Sequence, residues 1–486
     1  MKKNNRYHKV LQNRCFQLLM TGLLGLLLLP LSGQETGNKK TYTPDLDSLW
    51  SIRAFNHVMS PDGNWLVIGE GFHKKGNTLT LINTENEIQF DIGSPSNLTF
   101  SADSKYFGYL SGANELTMIQ LKSQHLTSYK DVVKFDFSHD GKYIAIHQTK
   151  ANEQHVLFIH DLNRNNTSQL QDVVGFKWNP LKPVLAIFSK RENKAKMLLY
   201  EAVSGKERLI SEKENVLFSD IVWNNSGNAL VFSENSDQNR IHYYNINGNK
   251  RVLDNSILET QFQEGIISDK ELFISDDGKN VFFYRRVKGK EYGKNNGMEI
   301  WDTKAPWIYP RMKNYNERES PFLLTLWNTN TNKIQKVADK DTPSVQFNPD
   351  HPHALVFNQL IHEPLYKQYP EVDLYIKDFQ TGSKELIVKN QYTYHGFITL
   401  SPKGRYVAFF KEKNWWVYDS KTKKTINLTD EIQTHFENIQ DSPKEDKEPY
   451  GNPGWSDNEN YIILQDQYDV WLMKPDGSYK KRVTKG

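Results

Sequence analysis

The sequence predicts an all-β fold, a β-propeller of four-stranded blades placed after an N-terminal signal peptide. Three observations carry that prediction. A turn motif recurs at a propeller-blade period, each repeat reads as four short strands, and a basic then apolar leader precedes them.

The motif is apolar-x-apolar, then Ser or Asn, then a polar turn often containing Asp-Gly, then a new apolar run. Clear copies are Met59-Ser60-Pro61-Asp62-Gly63, Phe137-Ser138-His139-Asp140-Gly141-Lys142-Tyr143, Ile274-Ser275-Asp276-Asp277-Gly278 and Leu400-Ser401-Pro402-Lys403-Gly404-Arg405-Tyr406. Weaker copies centre on Trp178-Asn179-Pro180 and Trp223-Asn224-Asn225-Ser226-Gly227. The Ser/Asn anchors fall at 60, 101, 138, 179, 224, 275, 348, 401 and 456, so the spacings are 41, 37, 41, 45, 51, 73, 53 and 55. That interval suits four strands per unit. The count predicts eight or nine blades, complete or with blades missing.

Within a unit, the elements follow from residue type. In the third, 134–138 is a first strand, and Asp140-Gly141 a tight turn, because glycine accepts the positive φ a hairpin needs. Residues 143–147 and 156–160 are the second and third strands, and 167–170 is a weak fourth. The eighth unit repeats the scheme at 407–410, 415–418 and 425–428. Short runs rich in β-branched and aromatic residues favour strands, and no sustained helical period competes. One helix is predicted, at 46–53, with Asp47 as its cap or first-turn acid. A blade cannot bury both faces alone, so stacked blades are required.

The leader reads as an address. Lys2, Lys3, Arg6, Lys9 and Arg14 precede an apolar run that closes at Pro30-Leu31-Ser32-Gly33. This predicts a signal peptide at 1–33, a lead segment at 34–57 and propeller repeats at 58–486, in a chain exported to the periplasm or secreted. No later run is long and apolar enough to span a membrane, so no span is expected after signal cleavage. Cys15 is the only cysteine of the 486 residues and precedes the apolar run, which excludes an internal disulfide. Of the formal charge of +3, five positives lie in the leader, leaving −2 on the body. A near-neutral body offers no electrostatic case for nucleic acid.

Two stretches break the period. An insert at 287–320 is basic and carries Trp301, Trp307 and Tyr309, the residues predicted to contact a substrate or partner; packing on a neighbouring blade is the alternative. A second insert at 430–450 is acidic and polar.

Motifs for chemistry are sparse. There is no G-x-S-x-G, no Walker loop and no G-x-G-x-x-G, so no catalytic residue, metal or cofactor is assigned. His362-Glu363-Pro364 lacks the second histidine of a zinc helix, and Pro364 would break one. His351-x-His353 beside Pro352 reads as a solvated turn. His155 and His160, five apart on one strand, face opposite sides and cannot share a metal.

The repeats resemble those of TolB-type propellers and of prolyl oligopeptidase and dipeptidyl peptidase propellers. The segment Leu46-Asp47-Ser48-Leu49-Trp50 and the run Asp466-Gln467-Tyr468-Asp469-Val470-Trp471 are similar to parts of secreted bacterial peptidases of this kind. The resemblance implies a non-catalytic propeller portion of a serine peptidase. In that family the propeller gates peptide access to a hydrolase domain, which would here be separately encoded or lost. It implies peptide or protein partners and no hydrolysis by this chain alone. The paired glutamates that hold a substrate amine in dipeptidyl peptidases are not matched by Glu317 and Glu319 in spacing or neighbours. The alternatives are a stand-alone envelope propeller acting as a protein-binding scaffold and an enzyme using the propeller's own funnel.

Overall fold

The computed structural model describes residues 53–72, 76–86, 88–150, 154–262, 264–287, 322–362, 371–393, 396–440 and 447–486. They form nine antiparallel sheets in succession, each with the meander order one-two-three-four. The blades occupy 53–93, 97–129, 132–171, 173–214, 217–253, 266–336, 344–392, 398–427 and 451–482. In the sixth, the first strand is broken into Ile266–Ile267 and Phe273–Ile274, which both pair with Asn280–Arg286. Nine anchors thus correspond to nine sheets, and the chain is an all-β array of propeller blades.

Strand positions follow the sequence pattern closely. In the third blade the strands are Val132–Phe137, Tyr143–Thr149, His155–Asp161 and Asn166–Gln171. The fourth is a full strand rather than a weak one, because an outer strand faces solvent and needs no apolar alternation. At the start, the strand Arg53–Met59 pairs with Trp65–Phe72. The first blade therefore begins at Arg53 rather than 58, and Arg53 is extended rather than the end of a helix. The predicted helix otherwise lies outside the described residues, as does the leader at 1–33. The described helix is Asn255–Gln261, capped by Asp254, whose side chain accepts from the Ile257 N–H. Among the described residues no helix is long and apolar enough to cross a membrane.

The chain divides into two compact units, one holding the first blade's strands and the other residues 60–62 and 95–486. The first blade carries its own apolar centre, with Val67 and Leu81 fully buried. In the larger unit, seven apolar clusters alternate with the eight blades. Leu116 and Met118 meet Ile144 and Ile146 between the second and third blades. Phe188 meets Phe218 and Phe232 between the fourth and fifth, with ring centroids 5.7 Å apart in each pair. Phe410 and Trp415 meet Ile462 and Leu464 between the eighth and ninth. Facing sheets of consecutive blades are thereby removed from water, the dominant stabilising term of such arrays.

The motif turn has a physical basis. The Ser138 hydroxyl is buried, donates to Asp140 Oδ1 (2.7 Å) and accepts from the Tyr143 N–H (3.0 Å). Ser101 and Ser275 repeat this with Asp103 and Tyr106, and with Asp277 and Asn280. Gly141 adopts φ +70°, and its backbone lies so close to Asp103 of the preceding blade that a Cβ would sit 2.6 Å from Oδ1. Gly227 and Gly404 approach Asn179 and His351 of their preceding turns in the same way. The eighth blade departs from the rule, having Lys403 where the aspartate belongs. There Glu459, from the ninth blade's turn, reaches back. Its Oε1 accepts from the Ser401 hydroxyl, the Lys403 N–H (2.7 Å) and the Arg405 N–H (3.3 Å).

First strands are sheet edges, which would otherwise invite pairing. Their outward carbonyls are taken by side chains of neighbouring blades. Trp178 Nε1 donates to the Asp136 carbonyl (3.1 Å), Lys134 Nζ to that of Phe176 (3.1 Å) and Trp223 Nε1 to that of Lys177 (3.4 Å).

Candidate functional site

Trp301, Trp307 and Tyr309 lie outside the described residues. Val287, where that insert begins, is buried against Leu323 and Val356. The second insert is partly described, and it packs. Phe436 joins the apolar cluster of Trp415 and Ile462, and Glu437 forms a lone antiparallel bridge with Pro449.

This insert helps to wall a cavity of about 350 Å³ between the seventh and eighth blades. The strand Lys384–Tyr392 supplies Gln391 and Tyr392, and Tyr406–Lys411 supplies Phe410 and Lys411. The two-residue turn Glu412-Lys413, at φ +51° and +67°, directs Lys413 toward the insert, where it pairs with Glu437 at 3.1 Å. Lys447 donates to the Ile439 carbonyl (3.3 Å), and Lys411 to that of Lys389. The charged groups on the lining are Glu371, Glu412 and Glu437 against Lys411, Lys413 and Lys447, so they balance. Phe397 and Phe410 are buried behind them.

Gln391 is the distinctive group. It is wholly buried, and its Nε2 donates to the carbonyls of Tyr392 (3.0 Å) and Phe410 (3.1 Å). Two carbonyl acceptors fix which end of the amide is nitrogen. Among the described residues its Oε1 has no donor.

A second cleft, of about 540 Å³, runs between the third and fourth blades. Its floor is apolar, with Val173 and Ile187 buried. Its rim lysines, Lys194 and Lys196, pair with Glu214 and Glu212 across the outer strands.

The histidines sort differently from the sequence reading. His351 and His353 are buried, at 6% and 3% exposure, so their segment is not a solvated turn. His351 Nε2 donates to the Pro402 carbonyl (2.8 Å), which makes it part of the contact between neighbouring turns. Burial, reinforced by His351, holds the His353 ring down at about 4. His155 and His160 do take separate partners, Thr149 and Thr167. Across the hairpin His155 instead meets His147, with ring centroids 5.3 Å apart. Burial, then His155, holds His147 down at about 4. His362 meets Asp373 at 3.1 Å. Among the described residues no group of three or more His, Cys, Asp or Glu could hold a metal ion.

One cluster escaped the sequence reading. Glu234, fully buried, accepts from Arg240 Nη1 (2.5 Å) and His242 Nε2 (2.7 Å). Burial pushes its carboxyl up, but these two donors outweigh it and hold the group below its ordinary range. The register Phe232↔His242 and Glu234↔Arg240 brings the three together, and the His242 ring stacks on Phe232 at 4.7 Å. The signal was available only once the hairpin register was known.

No protein-family model matches the chain, and no curated protein is similar to it in sequence. Among solved structures it is similar to a eukaryotic initiation factor, with 13% identity over 77% of this chain and 87% of that one, at a TM-score of 0.44. It is also similar to the β-propeller domain of the Trilobed protease from Pyrococcus furiosus, with 13% identity over 70% and 98% of the two chains and a TM-score of 0.34. Likeness to a prolyl endopeptidase structure covers 76% and 55%, with 8% identity and a TM-score of 0.38.

Proposed function

We propose that this chain is the exported, non-catalytic propeller portion of a prolyl oligopeptidase-type serine peptidase, gating peptide access to a hydrolase part. The observation that supports this is the repeated Ser-x-Asp-Gly turn. The residues that carry the resemblance also build the contacts between successive blades, so the likeness extends to the repeat's architecture. A G-x-S-x-G nucleophile is absent from the 486 residues, so on this reading the covalent chemistry belongs to the hydrolase part. Partners on this reading are peptides and a hydrolase, without nucleic acid.

The test is affinity capture from the envelope of the source organism, followed by labelling with a fluorophosphonate. The expected result is that the residues of this chain are unlabelled and a labelled serine hydrolase is retained with them. Labelling of the propeller itself, or dipeptide-anilide hydrolysis by the purified chain, would overturn the reading. Intact mass of the exported protein checks the address, with a mature N-terminus near residue 34 expected. A stand-alone binding scaffold is the second reading, favoured by the cavity that the second insert walls with Glu437 and Lys447.

A further inference from the structure

We infer that the outer edge of the third blade, the strand Asn166–Gln171, is together with the cleft beside it a docking site for an extended polypeptide segment. The segment adds to the sheet and carries an apolar and a basic side chain two residues apart. The inference stands apart from the peptidase reading and rests on three observations.

The first is an unguarded edge. The strand pairs on one side alone, in unbroken register from Val156↔Gln171 to Asp161↔Asn166. Outer strands usually discourage further pairing with charge or a bulge. Those of the first and the fourth to ninth blades each hold a charged residue. In the fourth, a bulge at Ile210 adds to this, and Lys250 Nζ covers the Ile210 carbonyl (2.7 Å). In the seventh, Lys411 covers the carbonyl of Lys389. The strand Asn166–Gln171 has neither charge nor bulge. The Thr167 N–H is met by Asn166 Oδ1 (2.9 Å), outside the ladder, so the backbone groups of Gln169 and Gln171, alternate with it, also point outward. The outer strand of the second blade, His125–Tyr129, lacks Lys, Arg, Asp and Glu as well and is the competing edge.

The second is the cleft of about 540 Å³ between this strand and the fourth blade. Leu170 on the strand and Leu198 on the facing blade are only partly buried, so an incoming side chain can reach both. Leu170 shares its face of the strand with Ser168 and Asn166. A segment paired with the strand would therefore direct every second side chain toward the fourth blade and into the cleft. Backbone pairing then supplies affinity and the cleft supplies selection.

The third is charge. Lys194 and Lys196 are tied to Glu214 and Glu212, at 3.7 and 3.4 Å. On the lining that leaves Asp172, Glu192 and Glu207 against Arg191. The surplus is negative and complements a lysine or arginine of the segment.

The experiment is fluorescence anisotropy on the purified chain with dye-labelled, end-blocked heptapeptides in which threonine alternates with leucine, lysine and leucine. Companion peptides replace the lysine by glutamate, or N-methylate every second residue in one frame or the other. The lysine peptide is expected to bind, and hydrogen exchange to slow at Gln169 and Gln171. Methylation in one frame should abolish binding and in the other be tolerated, because only alternate N–H groups face the protein. Gln169→Pro removes an outward N–H without touching the ladder and should weaken binding about tenfold. Glu207 is exposed on the rim, and Glu207→Lys should shift preference from the lysine to the glutamate peptide, a test that stands if Gln169→Pro fails to fold. Four results would overturn the inference: no binding of the lysine peptide at millimolar concentration, methylation without effect in either frame, protection at His125–Tyr129 instead, or an unchanged preference in Glu207→Lys.

Discussion

Glu459 is the sharpest test of how successive blades are joined. It occupies the position that Gly63, Gly141, Gly227, Gly278 and Gly404 hold in their turns, at φ +61°, and supplies the carboxylate that the eighth blade's own turn lacks. Glu459→Ala strips an acceptor from the wholly buried Ser401 hydroxyl and from two backbone N–H groups. Hydrogen bonds to a charged group contribute about 1.5–3 kcal/mol, but backbone groups at the rim regain water, so a net loss of ~3 kcal/mol is expected. In that background Lys403→Asp rebuilds the local arrangement seen at Asp140, which takes the Ser138 hydroxyl (2.7 Å) and the Lys142 N–H (3.2 Å). It should recover about 2 kcal/mol by the same reckoning. In the wild-type background the same substitution crowds two carboxylates into one turn and should cost about 1 kcal/mol. Urea unfolding of the four proteins closes the double-mutant cycle, and hydrogen exchange at the Lys403 and Arg405 amides reports the turn itself. Glu459→Ala within about 0.5 kcal/mol of wild type, or a Lys403→Asp effect of the same sign in both backgrounds, would refute the reasoning.

Acid should weaken the protein in a definite window. His147 and His353 are held near 4 by burial, against 6.5 when exposed, so between pH 6.5 and 4 the unfolded chain binds protons that the native one refuses. Stability should fall as pH drops through that range, by up to about 3 kcal/mol per histidine, and urea midpoints measured from pH 7.5 to 4 check the slope. Glu234 adds a second loss at lower pH, because its held-down carboxyl stabilises the fold above its unfolded value and ceases to as it is protonated. Glu234→Leu should cost about 2 kcal/mol by thermal or urea denaturation, since it leaves Arg240 and His242 without their shared partner, an effect tempered by the partial exposure of Arg240. Gly141→Ala places a methyl against Asp103 at φ +70°, and a loss of about 2–3 kcal/mol is expected, against little change for Gly112→Ala, whose Cβ meets nothing within 4 Å.

How far the molecule was legible depended on whether an interaction was local. The anchors at 60 to 456 marked every blade, because the turn closes within six residues and its chemistry, Ser-x-Asp-Gly at 60, 138 and 275 and related Ser or Asn turns elsewhere, is written in consecutive letters. The outer strand Asn166–Gln171 was underrated because hydrophobic pattern is the main strand signal and this strand, at the rim, buries none of its residues fully. His351 and His353 misled for the opposite reason. Polar letters beside Pro352 suggest solvent, yet the following blade's turn covers them, a cover more than fifty residues away in sequence. The cavity beside Gln391 was not readable either, since it needs the register of two hairpins and the path of an insert.

The alternation of blades and apolar clusters has a mechanical consequence. In the larger unit each interface joins consecutive blades, so tension applied at the C-terminus acts on one seam at a time. A single-molecule pull from Gly486 would peel the unit rather than shatter it, releasing blades in reverse order of synthesis. Repeats of 37 to 73 residues give contour increments of roughly 13 to 26 nm. The first seam to yield would be the one between the eighth and ninth blades, where Glu459 reaches back over the cluster of Trp415 and Ile462.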